Sequence, residues 1–219
     1  MNILALDTCL GACSAAVCAD DRVLATASEA MARGHQERLA PMTREVMLKA
    51  GLAFPRLDRI AVTVGPGSFT GLRVGLAFAK GLALALERPC VGVSTLEALG
   101  RGPARPGYVT ACIDAHRGQV YLQVFVDGHA VMAPDVLPVE TAAARVIELY
   151  AGGPAILVGS GAPLLHAALP QAEIEPDAVP GPAAIAALAR AARQPFAAPR
   201  PLYLRGPDAR MMGATMMGA

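Results

Sequence analysis

"LALDTCLGACSAAV" at residues 4–17 reads as a strand, an aspartate, a turn and a returning strand. Asp7 closes the first apolar run, Gly11 sits in the turn, and "RVLATASEA" (22–30) extends the meander as a third strand. Far downstream the pattern returns as "TACIDAHRGQVYLQVF" (110–125), with Asp114 in the place of Asp7 and "HRG" as the turn. Between the two lies "GRGPARPG" (100–107), a linker with Gly or Pro at five of its eight positions. The chain thus divides into an N-terminal lobe over 1–102, a smaller C-terminal lobe over 107–200, and a segment 201–219 that ends in a Met-rich, frayed tail.

A duplicated strand–Asp–turn–strand unit, followed late in the chain by "AILVGSGA" (155–162), is the layout of the actin/Hsp70/sugar-kinase architecture. This is a two-lobed α/β fold of the ribonuclease H-like kind, with mixed sheets flanked by helices. In that architecture the two Asp-bearing hairpins hold phosphates and metal from opposite sides, and the glycine turn takes adenosine. The remaining elements fit. Leu39, Met42 and Val46 recur at helical spacing over 36–50, with Gly51 just past the end. "DRIAVTVGPG" is a strand, 71–87 a helix, "CVGVS" a strand, and Ser94 or Thr95 caps the helix starting "TLEALG". Helices are also expected over 141–150 and 181–193.

Composition excludes several classes. Hydrophobic residues are 54% and charged residues 17% of 219, which argues against disorder, and the net charge of +1 gives no global footprint for nucleic acid. Five cysteines without a CxxC pair offer no zinc site and read as buried thiols. Leu10-Gly11-Ala12-Cys13 imitates a lipoprotein cleavage box, but no Lys or Arg precedes Arg22, so a secretory signal is not expected. The most apolar helix candidate, 72–86, carries Lys80 and is shorter than the roughly 20 residues of a membrane span. The expectation is a cytoplasmic protein without a membrane partner.

"GPGSFTGLRVG" (65–75) has two readings. It lacks the Lys of a Walker loop and the spacing of a dinucleotide fingerprint. What remains is either an anion or nucleotide contact through Asp7, Ser68 and Thr70, or a turn that launches a closely packed helix; the second is preferred. Along that helix Gly71, Gly75, Ala79 and Ala83 form one small-residue row, and Ala77, Gly81 and Ala85 a second. With Leu72 and Leu76 it is apolar nearly all round, so a neighbour is expected to cover what the sheet leaves open. The expected contact surface is Leu39, Met42 and Val46 of the first helix with Leu72, Gly75, Leu76, Ala79 and Ala83 of the second. His35 has Leu39, not a second His, one turn on, so a metal-binding HxxxH pair is absent and His35 reads as a surface or capping residue. Asp7 and Asp114 could flank magnesium if the lobes close, yet the turn after Asp114 is bulky. No acid–base or nucleophilic set emerges.

These segments resemble the TsaB (YeaZ) family of tRNA threonylcarbamoyladenosine biosynthesis accessory proteins. The likeness rests on "LALDTCLGACSAAV", "HQERLAPM", "VTVGPGSFTGLRVGLAFAKGLA", "GVSTLEAL", "IDAHRGQVYLQVF" and "PLYLRGPDA", in that order over most of the chain. The resemblance implies a non-catalytic subunit, with no catalytic residue and no metal or cofactor of its own, supporting the paralogue TsaD in threonylcarbamoyl transfer to the adenosine next to the anticodon. It further implies direct contact with TsaD, a homodimer when TsaD is missing, the ATPase TsaE in the assembly and the synthase TsaC upstream. ATP and metal belong to those partners, and tRNA is met mainly through the complex. The competing reading is a nucleotide-dependent phosphotransferase or a metallopeptidase of the same superfold.

Overall fold

The computed structural model describes residues 1–101 and 107–205. The middle of the expected linker and the Met-rich tail lie outside the described residues. The first three segments fold as expected: β1 (Asn2–Asp7), β2 (Ala12–Ala19) and β3 (Arg22–Ala30) form an antiparallel meander. The chain then crosses through α1 (His35–Lys49) to β4 (Arg59–Thr63), parallel to β1, and through α2 (Phe69–Leu86) to β5 (Cys90–Val93). The sheet order is β3-β2-β1-β4-β5. Such parallel pairs require crossover helices, and the long apolar periods of 35–49 and 69–86 supply them.

After the short α3 (Thr95–Gly100), capped by the Ser94 hydroxyl as foreseen, the motif repeats. The hairpin of β6 (Tyr108–His116) and β7 (Gln119–Val126) is followed by β8 (His129–Ala130), β9 (Asp135–Pro138) and α4 (Val139–Leu149). Then come β10 (Ala155–Val158), the one-turn α5 (Ala162–Leu165), β11 (Glu173–Glu175) and α6 (Pro182–Ala191). The second sheet runs β11-β10-β6-β7-β8, with β9 also on β7.

Period two sorts the first sheet's side chains between two cores. Leu4, Leu6, Val17, Ile60 and Val62 point at α1 and α2. Ile3, Ala5, Ala16, Ala61 and Val91 point the other way, at Ile185, Ala186 and Ala189 of α6. This amends the lobe boundaries read from sequence. Helix α6, placed in the second lobe by position, completes the first; Arg59 of β4 donates to the carbonyls of Ala189, Arg190 and Ala192 at its C-terminal end and stacks 4.6 Å over Phe196. Conversely Leu96 and Leu99 of α3, which follow the first sheet in sequence, pack with Val109, Ala111, Ile113 and Phe125 of the second. A side chain at Gly100 would collide with the Phe125 ring, so glycine sets how closely α3 seats. Each lobe therefore lends a helix to the other.

Helix α2 is 18 residues long, longer than read from sequence, and by length and composition alone could cross a membrane. Its inner row is packed on the sheet.

Candidate functional site

The glycine loop closes onto the first hairpin. The Ser68 N–H donates to the Cys9 carbonyl at 2.7 Å, and the Thr8 hydroxyl donates to the Gly71 carbonyl at 2.7 Å. A β-carbon at Gly67 would overlap the Cys9 backbone, one at Gly71 the Thr8 carbonyl, and one at Gly75 the Thr8 hydroxyl. Gly67 also holds φ +156°. These glycines thus admit the close approach of the chain's own β1–β2 turn. The loop is packed against its own chain.

Asp7 lies beneath it, 1% exposed. One carboxylate oxygen accepts from the Thr63 hydroxyl at 2.6 Å and from the Cys9 N–H at 3.1 Å; the other has no partner among the described residues. Burial outweighs these hydrogen bonds and pushes the carboxyl up to about 6. Ser68 is spent as the cap of α2, its hydroxyl accepting from the Gly71 N–H at 3.2 Å. Thr70 and Ser68 border a hollow of about 410 Å³ with Arg33, Gly34, His35 and Glu37, and Asp7 is not part of its lining. The three residues named as an anion contact are therefore not one site. His35, read as a surface or capping residue, is 6% exposed, and its Nε2 has no partner among the described residues.

The second hairpin is closed in a parallel way. Asp114 accepts from the N–H of His116 at 2.7 Å and gives its own N–H to the Ser160 hydroxyl at 3.0 Å. His116 and Arg117 both take positive φ, 60° and 56°, a conformation costly for residues with a β-carbon. Gly159, at φ +101°, abuts the Cys112 carbonyl and Gly161 the Cys112–Ile113 backbone, so this glycine turn too is packed on its own chain. Among the described residues no group of three or more His, Cys, Asp or Glu is placed to hold a metal. All five thiols are free, and burial pushes those of Cys9 and Cys112 up to about 12.

A feature the sequence did not suggest runs between the hairpins. Residues 199–205 cross from lobe to lobe: the Leu202 N–H donates to the Val64 carbonyl at 2.8 Å, and Leu204 packs against the cluster that includes Leu96, Ile113 and Phe125. Arg205 donates to the Gln119 side-chain carbonyl at 2.5 Å and the His116 carbonyl at 3.4 Å.

The expected contact residues need correcting. Leu39, Met42, Val46, Leu72, Gly75, Leu76, Ala79 and Ala83 are all buried, on the sheet-facing sides of α1 and α2. Two small-residue rows were available, and the sheet took the one containing Gly71 and Gly75, because only glycine clears Thr8. The outward row is Ala77, Gly81 and Ala85 with Leu84, which is 81% exposed, and nothing lies within 4 Å of a β-carbon at Gly81. On α1, Leu48 is 83% exposed beside a depression of about 770 Å³ lined by Ala40, Pro41, Arg44, Leu52 and Phe54 among others. The outer sides of α1 and α2 thus mix exposed apolar residues, Ala40, Pro41, Leu48, Ala77, Leu84 and Ala85, with exposed polar and charged ones, Gln36, Glu37, Arg44, Lys49, Arg73 and Lys80.

Comparison with known proteins places this architecture. Over residues 26–201 the chain matches the family model "TsaD: tRNA N6-adenosine threonylcarbamoyltransferase". It is 42% identical over 124 residues to the Escherichia coli tRNA threonylcarbamoyladenosine biosynthesis protein TsaB, a match covering 55% of this chain and 53%, about half, of that protein. The Pseudomonas aeruginosa YeaZ structure superposes with a TM-score of 0.75 at 33% identity, covering 86% of this chain and 90% of that one. A ROK hexokinase from Thermus thermophilus shares the fold at 14% identity, with a TM-score of 0.50 over 87% of this chain and 98% of that one. The fold is therefore the actin/Hsp70/sugar-kinase one, as the duplicated hairpins implied. By its 33% identity to YeaZ over most of both chains, the chain belongs to the TsaB/YeaZ family.

Proposed function

We propose that this protein is a non-catalytic accessory subunit of tRNA threonylcarbamoyladenosine synthesis, binding and supporting TsaD during transfer of the threonylcarbamoyl group to N6 of the adenosine next to the anticodon. The observation that carries this reading is the state of the first hairpin. The space above Asp7 is taken by the chain's own Thr8–Cys9 turn and glycine loop, and one carboxylate oxygen is held by Thr63 and Cys9. A metal or nucleotide phosphate finds no cradle there, so ATP and metal are left to the partner subunits. The E. coli relative is a tRNA threonylcarbamoyladenosine biosynthesis protein, which supports the choice of pathway.

The outer side of α1 and α2 is the docking face. Leu48 and Leu84 stand fully out, and the Ala77–Gly81–Ala85 row lets a partner helix approach closely, a contact that would remove this apolar surface from water. TsaD is its occupant, with a second copy of this chain taking its place when TsaD is missing. TsaE joins the assembly and TsaC supplies the activated group.

Reconstitution tests the proposal. The purified chain alone is expected to leave tRNA unmodified, and TsaD, TsaE and TsaC together to modify it only when the chain is added. Full modification by the other three without it ends the reading. Stoichiometric zinc or iron in the isolated chain, or micromolar ATP binding by calorimetry, would favour an enzyme of the same superfold instead.

A further inference from the structure

One flank of α2 is unlike the docking face. Phe69 is 55% exposed, and the Arg73 guanidinium lies 3.7 Å over its ring centroid. Tyr203, brought alongside by the lobe-crossing segment, is 53% exposed, with its ring 6.0 Å from Phe69 and tilted by 33°. At 100° per residue, Phe69, Arg73 and Lys80 share a flank some 16 Å long, turned away from the side of α2 that Val74 and Phe78 present toward α1. The flank continues into a depression of about 590 Å³ that Lys80, Leu84, Glu87, Arg88, Phe196 and Pro199 help to line. Arg200, exposed three residues before Tyr203, adds another cation. None of Arg73, Lys80, Arg88 or Arg200 forms an ion pair among the described residues, and Arg88 alone spends a hydrogen bond, to the Pro55 carbonyl. Glu87 is the one acid in that lining.

We propose that this flank is a stacking platform for single-stranded RNA, with a base on the Phe69–Tyr203 pair and phosphates met by Arg73, Lys80, Arg88 and Arg200. Two exposed rings side by side are costly in water and offer a π-face to any base, while a run of unpaired cations follows a phosphate backbone. A protein partner is the less favoured occupant. The apolar row Ala77–Gly81–Ala85 adjoins this flank and shares Leu84 with it, yet four cations against one acid repel most surfaces other than acidic ones. The choice of RNA rests on the pathway proposed above, so the test uses the chain by itself.

The probes are a fluorescein-labelled oligoadenylate of about 8 nucleotides, within the span of a single-strand site, and AMP. The native chain is expected to bind the oligonucleotide in a salt-dependent way and AMP far more weakly. Phe69→Ala and Tyr203→Ala, both surface changes checked by thermal melting, should each weaken binding about tenfold or more. Arg73→Gln should lower the salt slope by about 0.7. Unchanged affinity in either aromatic variant overturns the proposal, as does absence of oligonucleotide binding by the native chain. Loss of TsaD affinity in these variants with RNA affinity intact would reassign the flank to protein. Failure of the native chain to bind TsaD would count against the accessory role and leave this measurement readable.

Discussion

Gly75→Ala and Gly81→Ala are the same chemical change six residues apart on one helix, and the structure gives them opposite signs. A methyl at Gly75 would sit closer than 3.0 Å to the Thr8 hydroxyl, with Val62 at an ordinary 3.5 Å behind it. Thr8 cannot yield cheaply, because its hydroxyl donates to the Gly71 carbonyl in the interior. Overpacking costs about 1–3 kcal/mol, and a disrupted buried hydrogen bond about 1–3 more. Alanine returns about 1 kcal/mol in helix propensity, leaving a net loss of about 1–5 kcal/mol. At Gly81 nothing stands within 4 Å, so only the propensity gain of about 1 kcal/mol applies. Thermal melting of the isolated chain should show Gly75→Ala falling by several degrees and Gly81→Ala rising by about 2–4 °C. Because Gly75 faces inward, its effect is on stability. If Gly75→Ala melts with the parent protein, or Gly81→Ala melts earlier, the orientation assigned to α2 is wrong.

Leu48→Glu and Leu84→Glu should leave the melting temperature within about 0.5 kcal/mol of the parent and weaken TsaD binding by calorimetry about tenfold or more. Undiminished affinity in both variants would remove the docking face. Asp7 is raised from an unfolded value of 3.8 to about 6 by burial, so the unfolded chain releases its proton first as pH rises. Its contribution is fully present below about pH 4 and is lost as pH rises through 6, by roughly 3 kcal/mol. The melting temperature of Asp7→Asn, plotted against pH, should lack that decline, and parallel curves would refute the assignment. Leu202→Pro removes the donor to the Val64 carbonyl and should cost about 1–3 kcal/mol, read as faster amide exchange at the ends of β4 and β5. Unaltered exchange there would show that the crossing segment adds nothing.

The parts legible in the sequence are those set by local periodicity. The Asp7 and Asp114 hairpins and the two long helices fell close to their expected bounds because alternation and helical spacing each leave one solution. The strands Asp135–Pro138 and Glu173–Glu175 were missed, being short and largely exposed, with no buried face to write a pattern. The exchange of α3 and α6 was invisible for another reason: "TLEALG" and "PAAIAALARA" are apolar enough to suit either sheet, and only Arg59 and Phe125 decide between them. The contact face was misplaced because rows 71/75/79/83 and 77/81/85 are equally small. The hydroxyl of Thr8, on a distant strand, chose the inner one. His35 looked solitary in sequence and is solitary in space as well, but inside the protein.

The loan of α6 to the first lobe has a consequence for biosynthesis. As the chain leaves the ribosome, the sheet built from its first hundred or so residues has one greasy side, that of Ile3, Ala5 and Val91, with nothing to lie on it. Nascent chains generally settle from the N-terminal end onward. Here the first lobe must wait for Pro182–Ala191, which is made only after every strand of the second lobe.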